Sequence, residues 1–453
     1  MNIFDFDFDI SFKIPRFKEK MRVAVTGLSK SGKSVFLTSL IYQLLADDKI
    51  DYVHQKSKKK FNVKLMPPES SIARFDYYNF VREFRSKNPT WPKSTKSVTK
   101  TTLEITVKSS YSWIENKKID LELIDYPGEW LLDLDMQGRN FEDWSMNNLE
   151  LALKDLRLKL SKEYIRMINS IDLYSKSDEE IDEKIVEKYK EYLLKCYEKG
   201  LSFIQPGRLL QPGDLSNDPI LLFSPLPAPQ IISNIDENSV YARFKERYKR
   251  YVKDVVKKLH LDHFQNFDTQ IVLIDLLKTL ENSKESFEDM RYSIKKILEN
   301  FTYGKNNFIT KLFGLKIERV IFAATKADLI PKNQIEEYKK LLEDMIYDIK
   351  RELDVEHIET DVTVIASVKC AQTVYTKIEG EEKACLKGVI EGEEESCIYY
   401  PGELPKSLKS EDLWNREFKF PNFKPPRFPQ TNTQAPPHIR MDRIIYNILK
   451  DKL

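Results

Sequence analysis

Eight residues from Gly27 to Ser34, GLSKSGKS, satisfy the spacing G-x-x-x-x-G-K-[ST] in full. Glycines at that spacing let a loop curl tightly enough for successive backbone N–H groups to point inward, and such a nest holds phosphate. Lys33 can then reach the β and γ oxygens of a bound polyphosphate, and the Ser34 hydroxyl can ligate Mg²⁺. Gly27, Ser29, Lys30, Ser31, Gly32, Lys33, Ser34 and Val35 are the expected phosphate-binding set. RVAVTGL before the loop reads as a strand and SVFLTSLIYQLL after it as a helix, which is the setting such a loop needs.

Downstream, LIDYPGEW closes an apolar strand with Asp125-x-x-Gly128. A carboxylate there can hold Mg²⁺ through water, and the Gly128 N–H can sense a γ-phosphate. Alone, an Asp before a Pro-Gly turn is a turn residue; after a phosphate loop it is a switch candidate. Thr325–Asp328, TKAD, ends a later strand. Its carboxylate can accept from both the N1–H and the amino group of guanine, a donor pair that adenine lacks, so Asp328 would select the base. Lys326 can lay its aliphatic stem over the ring. One strand further on, ASVK at Ala366–Lys369 brings in Ser367 and Val368, whose N–H can meet the guanine O6.

Between the loop and Asp125, TWPKSTKS offers Ser94 and Thr95 as a hydroxyl that joins Mg²⁺ only with triphosphate bound. Thr95 is the preferred one, against a simple loop-capping role. Glu129 follows the D-x-x-G directly, where Ras-like GTPases carry the glutamine that orients the attacking water. Lys30, three residues before Lys33, can reach the β–γ bridging oxygen as charge builds there, or else point to solvent and strengthen phosphate binding. Lys33, Glu129 and Lys30 are the catalytic candidates.

These residues need a scaffold that delivers several strand ends to one edge. NVKLM, TTLEITVKSS, KIDLELID, QIVLIDLL, RVIFAATKAD and DVTVIASVK read as further strands, and their alternation with helical stretches predicts an α/β fold with a doubly wound, mostly parallel sheet. From about Trp130 to Gly200 the chain turns to long, charged, glycine-poor helices, as expected of a large helical insertion. QPGRLLQPGDLSNDPILLFSPLPAP follows, a Pro- and Gly-rich connector with a short strand expected inside it. The expected division is 1–129 and 218–376 for the two parts of the nucleotide domain, 130–217 for the insertion, and 377–453 for a hairpin and C-terminal extension packed on that domain. Two IEGEE stretches, starting at Ile378 and Ile390, read as hairpin turns.

The composition narrows the partners. In 453 residues, 73 Lys plus Arg nearly balance 71 Asp plus Glu, which disfavours a polyanion partner and with it nucleic acid. No apolar run is long enough for a spanning helix, and the acidic, aromatic start lacks the form of a signal peptide, so a cytoplasmic location is expected. Four cysteines show no CxxC spacing and read as reduced, structural thiols. The helix from Arg243 to His260 carries a basic face that either contacts an anionic membrane peripherally or is simply solvated. Arg440 and Arg443 are expected to pair with acidic residues.

Taken together, VTGLSKSGKS, LIDYPGEWLLDL, QPGRLLQPGDL, DHFQNFDTQIVLIDLL, FAATKAD, YYPGELP and PHIRMDR resemble the YcjX-like family of bacterial P-loop proteins, from about Arg22 to Leu453. The resemblance implies a GTP- or GDP-binding G-domain fold with a helical insertion, in a family tied to envelope stress responses near phage-shock genes. The chain departs from the family in Ser34, where threonine is usual, and in DLDM, where a proline tends to precede the apolar residue. The leading expectation is a slow GTPase-type switch using GTP/GDP and Mg²⁺ and acting on an unidentified protein effector. A non-hydrolysing nucleotide-dependent scaffold, and an ATPase or kinase on the same loop, are its rivals.

Overall fold

A computed structural model describes residues 19–28, 30–46, 51–68, 72–93, 97–109, 115–230, 235–259, 267–302, 317–408, 414, 418–431 and 434–453. In it the apolar runs become a seven-stranded sheet ordered β2-β3-β4-β1-β5-β6-β7. The strands are β1 (Glu19–Gly27), β2 (Phe61–Leu65), β3 (Thr99–Val107), β4 (Lys117–Asp125), β5 (Thr269–Ile274), β6 (Arg319–Ala324) and β7 (Glu359–Val364). From β4 through β7 every pairing is parallel, while β3 runs antiparallel to β4 and β2 to β3. β5 and β6 are buried along their whole length, as continuous apolar runs in a sheet covered on both faces should be. β3 alternates buried and half-buried residues, the pattern of a strand nearer the edge.

Helices in chain order are α1 (Lys33–Leu45), α2 (Asp51–Ser57), α3 (Tyr77–Arg85), α4 (Gly128–Leu132), α5 (Phe141–Ala152), α6 (Asp155–Leu160), α7 (Lys162–Ser170), α8 (Glu179–Glu198), α9 (Gly207–Leu210), α10 (Val240–Tyr251), α11 (Leu276–Asn282), α12 (Lys284–Thr302), α13 (Ile335–Met345), α14 (Tyr347–Val355) and α15 (Met441–Leu449). Because strand side chains alternate faces, the sheet feeds two cores. On one face Val23, Leu123, Ile271 and Ile321 pack with Phe36 and Leu40 of α1 and with Ile444, Ile445 and Ile448 of α15. On the other, Ala24, Ile124, Val272 and Phe322 join Trp130, Leu131 and the aromatic residues of α5 to α10 in one continuous cluster.

Within that second core Trp144 and Tyr248 lie with ring centroids 5.0 Å apart. Two buried charge clusters tie the helices: Arg157 to Asp289 at 2.7 Å, and both Arg243 and Arg247 to the fully buried Asp182 at 2.7 Å. Such pairs fix which helices meet, since removing one partner strands a buried charge. The helix carrying Arg243 begins at Val240, and its basic residues at 243 and 247 are thus turned onto the protein. Among the described residues no helix is long and apolar enough to cross a membrane.

The short strand expected in NDPILLFSPLPAP does not form. Pro219–Leu221 is a single 3₁₀ turn capped by the Asp218 side chain, and the chain then runs on without pairing to any described strand. Pro219, Pro225, Pro227 and Pro229 remove the N–H groups a ladder would need. The two IEGEE stretches do mark turns, in a separate antiparallel sheet of β8 (Gln372–Ile378), β9 (Glu381–Val389) and β10 (Ser396–Tyr399).

Candidate functional site

β1 ends at Gly27, and the chain turns back on itself through Lys30 (φ 64°) and Gly32 (φ 88°), both left-handed, with Ser31 N–H donating to Leu28 O at 3.1 Å. For Lys30 that conformation costs about 1 kcal/mol, which the loop must recover elsewhere. α1 starts at Lys33, and the Lys33 ammonium donates to Gly27 O at 2.9 Å, lying across the mouth of the loop. Ser34 Oγ donates to Lys93 O at 3.2 Å, which ties the head of α1 to the stretch leading to Thr95.

β4 lies beside β1 with Asp125 opposite Val25, so Asp125 sits buried at the strand end next to the loop. The turn that follows rests directly on the loop: a Cβ on Gly128 would drive into the Gly27 carbonyl oxygen, so only glycine permits the approach. Glu129 is consequently held at the loop with Oε1 buried and unpartnered, and Ser31 Oγ is likewise buried without a partner. Native interiors rarely leave such atoms unsatisfied, and two facing one loop mark a place built for polar ligands.

The other arm comes from β6 and β7. Thr325 N–H donates to Ile274 O at 2.9 Å, Ala327 N–H to Ile365 O at 3.0 Å, and Tyr338 OH to Thr325 O at 2.9 Å, so the TKAD turn is pinned from three sides. Lys326, with φ 60°, is paired through Nζ to Asp275 Oδ2 at 2.6 Å. Asp328 is buried and accepts the Cys370 N–H at 2.8 Å. Burial raises its pKa, and the Cys370 hydrogen bond offsets part of that rise. Ser39 of α1 donates to Ser367 O at 2.5 Å, joining the ASVK loop to the phosphate-loop helix.

Both arms open onto one cavity of about 300 Å³, at the lower end of the usual range for ligand clefts. Of the residues expected from sequence, Lys30, Ser31, Gly32, Lys33, Ser34, Val35, Glu129, Lys326, Asp328, Ser367 and Val368 line it. Gly27, Asp125 and Gly128 stand behind that wall rather than in it. Ser29 and Thr95 lie outside the described residues.

Other lining residues carry no signal in the sequence. Trp91 and Pro92 come from the segment after α3, Cys370 from the loop between β7 and β8, and Glu391, Asn422 and Phe423 from beyond β9. Trp91 Nε1 donates to Phe423 O at 3.0 Å, Glu391 N–H donates to Asn422 O at 2.8 Å, and Lys369 N–H donates to Pro437 O at 2.7 Å. Ala366 and Ile439 exchange both backbone hydrogen bonds. Distant stretches of chain thus close the cavity, and no local motif announces them.

Gln211 reaches the same cavity from the helical segment. The turn that carries it is laid against α4: a Cβ on Gly207 would collide with the Glu129 carbonyl, Trp130 Nε1 donates to Gln211 O at 2.9 Å, and the Arg208 guanidinium stacks 3.3 Å from the Trp130 ring centroid. Asp133 completes the clasp, accepting from Gly207 N–H at 2.7 Å and Tyr251 OH at 2.6 Å. Burial pushes the Asp133 carboxyl up to about 7, against the hydrogen bonds it accepts. Lys30, finally, extends toward α8, with Nζ 4.9 Å from the Tyr197 ring centroid.

A profile of the YcjX-like family, DUF463, matches residues 21–453. A protein of Escherichia coli (strain K12) named Ras-like GTPase YcjX is 33% identical over 449 residues, covering 96% of each chain. Another of the same name, from Shewanella oneidensis, is 30% identical over 464 residues, covering 96% of this chain and 94% of its own.

Proposed function

The chain belongs to the YcjX-like family, and on that premise we propose that its cavity binds a guanine nucleotide and slowly hydrolyses GTP, switching the helical segment between two states. One observation carries the reading: Lys33 and Asp328, which lie almost three hundred residues apart, face the same cavity from its two ends. Phosphate at one end and a base with two adjacent donors at the other describe a guanine nucleotide. The names of the two relatives agree with it.

Mg²⁺ carried by a nucleotide keeps several waters and asks the protein for only one or two oxygens. The described residues contain no cluster of three His, Cys, Asp or Glu side chains suited to caging a metal, whereas Ser34 and Asp125 offer that smaller set. The residues therefore fit the ion, and Thr95 is the candidate to join them in the triphosphate state. When bound, Mg²⁺ neutralises charge on the β- and γ-phosphates. Lys33, leaving Gly27 O, takes up the same phosphates; Glu129, its Oε1 without a partner, holds or accepts a proton of water; Lys30 adds positive charge near the bridging oxygen.

In this reading the doubly wound nucleotide domain is interrupted by 130–217 as a helical insertion, and 377–453 packs on the domain and covers the base side. A role in bacterial stress responses, a protein effector and a cytoplasmic location belong to the same proposal. The test is direct. Unlabelled GTP should displace labelled GDP and ATP should not, and wild-type protein should release phosphate from GTP above a Lys33→Ala control. Displacement by GTP without phosphate release would leave a nucleotide-dependent scaffold, and equal displacement by ATP would favour an ATPase or kinase.

A further inference from the structure

The geometry points to Gln211 as a catalytic residue of this cavity: its side-chain amide orients the attacking water beside Glu129, so that the helical segment supplies its own activating group in cis. The inference rests on the hydrolytic reading given above and names the residue that the D-x-x-G turn itself lacks. Where Ras-like enzymes place the water-orienting glutamine, this chain has Glu129. A carboxylate can take a proton but offers no N–H to a phosphate oxygen, whereas a glutamine amide accepts from water through its oxygen and donates through its nitrogen. Gln211 restores that missing donor.

Its position is fixed by backbone contacts rather than by chance exposure. The phosphate loop meets Gly128, Gly128 leads into Glu129, and Gly207 sits on the Glu129 carbonyl so closely that a Cβ would not fit. One turn later Gln211 N–H donates to Gly207 O at 3.0 Å, and Gln211 O accepts from Trp130 Nε1 at 2.9 Å. Gln211 is therefore anchored at the phosphate end of the cavity, half-buried, and lines the cavity together with Glu129, Lys30 and Lys33. Glu129, which lines the same cavity, has its Oε1 buried and unpartnered. An amide side chain and an unpartnered carboxylate oxygen lining one cavity with Lys33 are the parts a hydrolytic water requires.

The step balances as follows. The water, donating its O–H groups to Gln211 Oε1 and Glu129, forms a bond from its oxygen to the γ-phosphorus while the bond from that phosphorus to the β–γ bridging oxygen breaks. The electron pair of the broken bond stays on the bridging oxygen, giving GDP, and the water proton passes to Glu129 and from there to the released phosphate. Gln211 Nε2–H donates to a γ-oxygen as charge gathers on it, an interaction strongest in the transition state.

Gln211→Ala in the full-length protein tests this, with single-turnover GTP hydrolysis, titration of GDP and a non-hydrolysable GTP analogue, and formation of the GDP–aluminium fluoride complex as readouts. We expect hydrolysis to fall about 10²-fold, both affinities to stay within about twofold, and aluminium fluoride to lose its effect on GDP retention. Gln211→Glu, which keeps size but removes the donor, should behave alike. Retained GDP affinity separates a chemical defect from misfolding. Unchanged hydrolysis in both variants would overturn the role of Gln211 while leaving the GTPase reading intact. A loss confined to nucleotide affinity would overturn it too, in favour of a ground-state contact. Wild-type protein that binds GTP but releases no phosphate above Lys33→Ala would overturn both the inference and the hydrolytic reading.

Discussion

The two ends of the cavity are held in different ways. At the base end, Asp328 and its neighbours are fixed by backbone hydrogen bonds to adjacent strand ends and by short side-chain ties, Lys326 to Asp275 and Asp328 to the Cys370 N–H. At the phosphate-loop end, the groups proposed for the chemistry lean on the helical segment: Lys30 toward Tyr197, Glu129 against Gly207, Trp130 between Arg208 and Gln211. In the proposed reading, recognition is built into the sheet and chemistry across a helix-to-sheet contact, the kind of contact that can shift as a body. One cavity can therefore keep its base preference while its reactivity changes with the position of the helices.

Breaking the base end alone should give the largest effect. Asp328→Asn replaces an acceptor pair by one acceptor and one donor, so guanine affinity should fall about ten- to a hundredfold and preference move toward xanthine nucleotides. Competition of GDP and XDP for the variant measures it, with the rate of hydrolysis at saturation little changed. A preference for guanine that survives the substitution would remove the base end from the comparison.

At the other end, Lys30→Ala should lower kcat about tenfold with GDP affinity nearly constant, because the interaction develops only as charge builds on the bridging oxygen. Tyr197→Ala should reproduce part of the loss, since the ring steers the ammonium. If GDP affinity alone drops, Lys30 serves binding and the phosphate end is simpler than described.

The clasp that holds the Gly207 turn against the helices titrates. Asp133 is raised from 3.8 to about 7, so the folded protein keeps a proton that the unfolded chain gives up. That contribution is whole below about pH 4 and is lost as pH rises through about 7. Wild type should therefore lose about 1 kcal/mol relative to Asp133→Asn between about pH 6 and pH 7, measured by urea unfolding. A constant difference would mean that Asp133 stays ionised. The smallest effect expected is a difference in hydrogen exchange across residues 130–143 between GDP and GTP-analogue states; identical exchange would make the helices a passive support.

The parts legible in the sequence are those where chemistry is contiguous. GLSKSGKS has its strand, loop and helix contiguous between Glu19 and Leu45, and the order of strands that ends in TKAD and ASVK returns in the sheet. Gln211, Trp91 and Phe423 escaped because each reaches the cavity through contacts between segments far apart in the chain. Asp275, the partner of Lys326, read only as the end of a strand. The missing strand near Pro219 failed for the opposite reason: its apolar residues suggested pairing, and its prolines forbade it. QPGRLLQPGD, with its glycines and paired prolines, did mark an ordered turn; what the letters lack is the surface it rests on.

The pairing of Ala366 with Ile439, and of Trp91 with the carbonyl of Phe423, has a consequence for biosynthesis. A nascent polypeptide leaves the ribosome with its phosphate loop first, and the wall that encloses the base comes roughly four hundred residues later. In the proposed reading, until that stretch is out and docked the emerging protein has a cavity that is open on the base side, with Asp328 in place but not enclosed. On that reading, vectorial synthesis delays enclosure of the nucleotide until the chain is almost made.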